Sequence, residues 1–399
     1  MSKQLKLSFL RAARTFGVFK LFRYLTQSQL RILCYHGGAI GDESEYNGKL
    51  FFSRQTFEQR MKWLREKGFN VVSLDEAVES AGGKRPAPPL STVITFDDGW
   101  YSTRSELLPV LDKLNMPSTL YLCTSHVLEG TPVATVTTRY IIWKSPLKSV
   151  SLSGYTAAID GQYDLSGGAG REDLAKKVAA WIEGFGADNT AAVDALERFA
   201  KDLAVPAGEL QLGTRRFQYM TGDELRELPA QRCAVELHGH VHHYPKGDPA
   251  ALKDDLRQCS GAIQNLGLPV PRHYCYPSGS FDADAADTLS ELGVVSATTC
   301  IPGLISKAEN EQAYFLPRFL DGRDVEMLEF EAEMDARNQW KSVRARSWDY
   351  AGQKLFESDV SSVQFSEPGN ISGSTLANTV NLAQFDMHHS GFRLEQELQ

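Results

Sequence analysis

Residues 92–99 read Thr92-Val93-Ile94-Thr95-Phe96-Asp97-Asp98-Gly99, five β-branched or aromatic residues closed by two acids and a glycine. Such a run fits a buried strand, and Asp-Asp-Gly at its end marks a turn. Adjacent residues in extended chain point to opposite faces, so the two carboxylates are expected to serve different partners.

Strand-like runs recur on either side, at Arg31–Tyr35, Asn70–Ser73, Ser118–Cys123, Ala234–Leu237, His273–Tyr276 and Val294–Thr299. Between them apolar residues fall at helical spacing, as in Phe57, Met61 and Leu64, or Leu252, Leu256, Cys259, Ile263 and Leu266. Ser73 with Glu76, Thr103 with Glu106 and Thr221 with Glu224 have the spacing of capping boxes. Strands alternating with helices predict an α/β fold with a mostly parallel sheet, open or closed as a barrel. Residues from about 130 to 215 break the rhythm and read as a mostly helical insertion, with helices around Glu172–Glu183 and Ala191–Leu203 lying over one end of the barrel. The chain is thus expected to comprise a basic N-terminal segment (1–30), a barrel domain (31–325) and a C-terminal extension (326–399), whose stretch Ser358–Asn381 reads as loose or extended.

The 399 residues carry 42% hydrophobic and 23% charged side chains, ordinary globular usage that excludes a disordered or collagen-like chain. A net charge of −8 argues against a nucleic-acid binder. No apolar run reaches the roughly 18 residues of a membrane span. The six cysteines form no CxxC pair and read as reduced core thiols of a cytoplasmic protein. The first 30 residues read as lacking a secretory leader, because Lys3, Lys6, Arg11, Arg14, Lys20 and Arg23 interrupt any apolar core. Those bases alternate with Phe9, Leu10, Phe16, Phe19, Leu21 and Phe22. That pattern suits a helix packed on the domain, or one in peripheral contact with the anionic inner-membrane surface.

Three polar clusters directly follow expected strands: Asp97-Asp98-Gly99, the run His238 to His243, and Tyr276-Pro277-Ser278-Gly279. In a parallel α/β fold the carboxyl ends of the strands share one face, so these stretches converge. His238 and His242 are four apart, and two histidines with one carboxylate are a standard catalytic metal set.

These residues resemble the NodB-type polysaccharide deacetylases, carbohydrate esterase family four, of the bacterial exopolysaccharide type. Thr95-Phe96-Asp97-Asp98-Gly99 matches the family's first motif letter for letter. His238-Gly239-His240-Val241-His242 keeps both histidines of the second, with Gly239 where Ser or Thr is usual. Arg272 to Gly279 keeps the first Arg, the Pro and the Gly of the third, with Cys275 in place of the second Arg. The fourth motif has no convincing match, and the Leu-x-His of the fifth is absent before Arg318. Tyr35-His36 supplies the Tyr-His pair that closes the first strand in the exopolysaccharide-type branch.

The resemblance implies a distorted (β/α) barrel of about seven strands and a hydrolase that removes N-acetyl or related acyl groups from a sugar. It implies a Zn²⁺ or other divalent transition-metal ion on Asp98, His238 and His242, which polarises the acyl carbonyl and lowers the pKa of water. Asp97 would be the general base, Arg272 would hold it ionised, and the Ser278 backbone N–H would stabilise the oxyanion. His36, an imidazole of ordinary pKa about 6.5, would donate the proton to the leaving amine, with His243 as the other candidate. The expected substrate is an N-acetylated glycan or a lipid-linked sugar. Trp100, Tyr101 and Tyr244 are candidate sugar platforms by proximity. Two other classes stay open: a catalytically degenerate carbohydrate-binding module, which the departures from the motifs allow, and a membrane-associated assembly factor, which the N-terminal segment suggests.

Overall fold

The computed structural model describes residues 3–125, 127, 130–306 and 310–336, together with the backbone of 340–349, 354–360 and 383–388. The chain divides into two compact units, one of residues 28–325 and one combining 1–27 with 326–399.

The larger unit is built on eight strands: β1 (Arg31–Tyr35), β2 (Asn70–Val71), β3 (Ser91–Asp98), β4 (Ser118–Leu122), β5 (Cys233–Leu237), β6 (His273–Cys275), β7 (Ser296–Thr298) and β8 (Phe319–Leu320). Seven form one continuous parallel path, β7-β6-β5-β4-β3-β1-β8, and β2 pairs with the start of β3. The sheet curls until Leu316, just before β8, makes a parallel bridge to Thr298 at the end of β7. This is the distorted barrel of about seven strands that the resemblance implied, and the mostly parallel sheet that the alternation suggested. β1, β3 and β4 are buried along their whole length, as a parallel sheet covered by helices requires. Each expected strand lies within about two residues of its place. The unforeseen one is β8, too short to carry a period.

The crossover helices are Arg54–Glu66, Leu74–Ala81, Leu108–Leu114, Pro249–Asn265 and Ala285–Glu291. Ser73 accepts a hydrogen bond from the Glu76 amide, and Thr221 with Glu224 forms a complete capping box. Thr103 does not cap. It lies inside a helical turn, and its hydroxyl donates to the His36 carbonyl at 2.8 Å.

The insertion between β4 and β5 holds the helices Ala134–Lys144, Gly168–Glu183 and Asn189–Asp202, and an antiparallel ribbon of Ser149–Leu152 with Gly161–Asp164. It returns to the barrel beside the turn after β3, where Trp100 bridges Tyr219 and the Met220 amide donates to the Gly99 carbonyl. Buried Arg216 pairs with Asp42 and Glu43 of the loop after β1, at 2.6 Å each. The insertion therefore rests on loops at the carboxyl ends of the strands.

In the smaller unit, helices Lys3–Thr15 and Val18–Leu25 meet helix Met327–Ala336 through Lys6–Glu329, Arg14–Glu331 and Arg23–Asp335 ion pairs. Trp340–Asp349 pairs antiparallel with Lys354–Val360 and parallel with Ala383–His388. Of the stretch expected to be loose, 358–360 ends the strand Lys354–Val360, and 361–381 lies outside the described residues.

Candidate active site

Asp97 and Asp98 reach the same site because the strand stops being extended between them. Asp98 has φ +75° and Gly99 φ +114°. A left-handed φ swings the Asp98 Cβ away from the alternation of a strand, at a cost of about 1–3 kcal/mol for a residue other than glycine. Gly99 has no such latitude, since a Cβ there would lie 2.6 Å from Leu122 Cδ1.

Asp98, His238 and His242 bring one ligand atom each to within 4.8 Å of one another. Asp98 Oδ1 is buried without a hydrogen-bond partner and lies 3.4 Å from Nε2 of both His238 and His242. His238 Nδ1 is 2.9 Å from the Cys275 carbonyl, which can only accept, so this nitrogen carries the proton and Nε2 presents a lone pair. In the neutral imidazole that lone pair faces the carboxylate oxygen, an arrangement a bound cation would satisfy, whereas the imidazolium would donate to it from Nε2. Donors about 2 Å from a tetrahedral ion lie about 3.3 Å apart. The triad therefore fits a divalent metal. Burial would raise the Asp98 carboxyl, but His238 and His242 hold it well below the usual carboxylate range. Burial lowers His242, favouring the neutral ligand form. For His238 burial is outweighed by Asp98 and Asp97, and its pKa is raised.

Asp97 lies beside this triad, also buried. Its partner is Arg318, which donates from one amino group to Oδ1 at 2.7 Å and from the other to Oδ2 at 2.8 Å. Burial would push the Asp97 carboxyl up, yet Arg318 keeps it well below the ordinary range. The thiols of Cys34 and Cys275 lie 3.5 and 3.6 Å from Oδ2. Burial pushes both thiols up, so they stay protonated. The expectation that Arg272 holds Asp97 is corrected. Arg272 precedes β6, at the opposite end of the barrel, where it pairs with Asp75 at 3.2 Å. Cys275 stands where a second motif arginine is usual, and Arg318 donates to its sulfur at 2.9 Å. The arginine thus arrives from the segment leading into β8, an unremarkable position in sequence.

His36, directly after β1, has Nε2 3.9 Å from Asp97 Oδ2 and a buried Nδ1 without a hydrogen-bond partner. His243 is exposed and lines a cleft of about 370 Å³ together with His242, Tyr244, Lys246, Pro277 and Ser278. Ser278 has a left-handed φ of +54°. His240 is held aside, its ring bonded to the Thr124 hydroxyl at 2.9 Å.

Gly239 has φ +87°, and a Cβ there would meet Asp255 Oδ2 at 2.9 Å. Asp255 accepts from the amides of His240 and Val241, both at 2.9 Å, and so orders the histidine loop where the family pattern has a hydroxyl. Of the three candidate sugar platforms only Tyr244 borders the cleft, and little of its ring is exposed. Trp100 and Tyr244 are buried, and Tyr101 lies under the Arg215 guanidinium at 4.0 Å. Sequence reading missed Arg318 and Asp255, since nothing local distinguishes either.

Residues 84–154 and 190–297 match the polysaccharide deacetylase family, and residues 322–399 match a family described as the Alg8 N-terminal domain. A stretch of 78 residues is 33% identical to the poly-β-1,6-N-acetyl-D-glucosamine N-deacetylase of Escherichia coli K12; it spans 19% of this chain and 12% of that relative. Among solved structures, the Streptococcus pyogenes deacetylase PplD in complex with acetate matches with a TM-score of 0.50 at 13% identity, over 77% of this chain and 98% of that one. IcaB from Ammonifex degensii matches with a TM-score of 0.48 at 18% identity, over 77% and 97%.

Proposed function

The chain belongs to the polysaccharide deacetylase family of the NodB type, with exopolysaccharide deacetylases among its relatives, and from that premise we propose that it is a metal-dependent hydrolase of N-acetyl groups on a polysaccharide or its precursor. The observation that carries the reading is a buried Asp97, locked by Arg318, beside an Asp98-His238-His242 set whose donor atoms converge.

A divalent ion such as Zn²⁺, held by Asp98, His238 and His242, would polarise the acyl carbonyl and make water acidic enough to attack. Asp97 takes the proton of the attacking water, and Arg318 keeps that carboxylate ionised and aimed. The Ser278 amide, beside the cleft, donates to the developing oxyanion, a contact worth about 3 kcal/mol when well placed. His36, with Nε2 3.9 Å from Asp97 Oδ2, protonates the leaving nitrogen. A carbohydrate-binding module has no use for a buried, arginine-locked carboxylate next to a metal set. The substrate we assign is an N-acetylated glycan, free or lipid-linked.

The test is acetate release from N-acetylated glucosamine oligomers by the zinc-loaded chain, set beside Asp97→Asn. We expect turnover to fall about 10²-fold with the zinc content kept. Equal turnover with an authentic substrate would assign the proton transfer elsewhere.

We also propose peripheral membrane contact through the first 30 residues. Of nine exposed large hydrophobic residues among those described, six (Leu5, Phe9, Phe16, Leu21, Tyr24 and Leu25) fall there, beside exposed Arg11 and Lys20. No described helix is long and apolar enough to cross a membrane. Phe9→Ser with Phe16→Ser should abolish co-sedimentation with vesicles containing anionic lipid. Equal sedimentation of both forms, or none for the parent, rejects this contact.

A further inference from the structure

Trp100 is buried, and its indole Nε1–H donates to Asp98 Oδ2 at 2.8 Å. The other oxygen of that carboxylate, Oδ1, is the unpartnered atom that faces the two imidazoles. The indole N–H is a donor only and offers no lone pair to ligate a metal ion. Its N–H therefore occupies one carboxylate oxygen and leaves the other to the metal.

The ring has little freedom. Phe51 meets it edge-on, with centroids 5.1 Å apart, and Tyr219 lies against it at 4.7 Å. The backbone is pinned as well. Trp100 bridges Tyr219, the Tyr101 amide donates to the Gln218 carbonyl at 2.9 Å, and the Met220 amide donates to the Gly99 carbonyl at 2.8 Å. Residues 217–220 are where the insertion rejoins the barrel, so the insertion ends by bracing the residue that braces Asp98.

We propose that Trp100 is a positioning residue that holds Asp98 as a one-oxygen metal ligand, and that Tyr219, at the end of the insertion, holds the indole in place. The proposal rests on the reading of Asp98, His238 and His242 as the metal set. An unanchored carboxylate can turn about its terminal torsion between one-oxygen and two-oxygen binding, and the left-handed backbone at Asp98 adds strain that a fixed partner must absorb. Partners of this kind are typically worth 10–100-fold in metal affinity.

The experiment titrates the full chain with Zn²⁺ alone, in competition with a chromophoric chelator, and records the visible spectrum of the Co²⁺-loaded form. Trp100→Phe keeps a ring between Phe51 and Tyr219 but deletes the N–H. We expect zinc to bind 10–100-fold more weakly, the cobalt spectrum to change, and the melting temperature of the metal-free protein to stay close to that of the parent. Tyr219→Leu leaves the N–H in place and removes its backing ring, and should weaken zinc about threefold or more. Parent protein that binds no zinc refutes the metal set itself. Parent that binds zinc stoichiometrically, with Trp100→Phe equal to it in affinity and spectrum, overturns the role of Trp100. Should Trp100→Phe fail to fold, Tyr219→Leu decides, and unchanged affinity and spectrum there overturn the proposal.

Discussion

Replacing Arg318 with Met keeps most of the side-chain volume and removes the charge, leaving Asp97 buried with no cation on either oxygen. Arg318 is fully buried and Asp97 nearly so, and the two share a pair of hydrogen bonds of 2.7 and 2.8 Å. Breaking such a pair from one side costs about 3–5 kcal/mol, because the remaining charge is stranded. For a unit of this size that corresponds to a melting temperature lower by about 6–10 °C, at about 2 °C per kcal/mol. Asp97→Asn strands the arginine instead and should cost a similar amount. The double variant strands neither, so it should be less destabilised than the sum of the singles by about 2–3 kcal/mol. The assay is urea denaturation of the four proteins at pH 7 with zinc in excess. Turnover gives a second reading. A catalytic carboxylate free to move by 1 Å loses about 10²-fold, so Arg318→Met should lose that much on N-acetylated oligomers. Additive stabilities in the cycle, or Arg318→Met with parental turnover, would show that Arg318 fills space and does not position the base.

Three further outcomes follow from the same geometry. Arg272→Ala should change neither turnover nor zinc affinity, because Arg272 is half exposed and pairs with Asp75 at the far end of the barrel; a tenfold loss in either would return it to the site. His36→Ala should retain zinc and lose turnover sharply on amides, but much less on activated aryl esters, whose leaving groups need no proton; equal losses on both would mark a structural role. Burial pushes the Asp321 carboxyl up to about 6 against the pull of Arg60 and Tyr35. With its folded pKa above the unfolded value, the folded state binds this proton more tightly, so the contribution of Asp321 to stability is greatest below about pH 4 and declines as pH rises to about 6. Asp321→Asn removes that decline, so parental stability relative to the variant should fall by about 2–3 kcal/mol over that range, measured by urea denaturation at each pH. A pH-independent difference would refute the shift.

The primary sequence alone determined the strands that build the barrel and the two clusters that carry the chemistry. Val93 to Phe96 and Ser118 to Leu122 are continuous buried runs, legible because a strand covered on both faces needs no polar alternation. Asp97-Asp98 and His238 to His242 are contiguous motifs directly after strands, and a parallel sheet delivers everything at its carboxyl ends to one face. The contacts that finish the site were decided in three dimensions. Arg318 reaches Asp97 across 221 residues, and a lone arginine between Pro317 and Phe319 has no local pattern to betray it. Arg272 misled because motif spacing says which residues are near in sequence and not which end of a short strand each occupies. Trp100 next to the aspartates looked like a sugar platform until burial showed its ring enclosed and its N–H spent on Asp98. Residues 1–27 share a unit with 326–399 for the same reason. Ion pairs such as Arg23–Asp335 join chain segments 312 residues apart, and only the folded chain determines which distant side chains share a low-dielectric interior where one partner's charge must answer the other's.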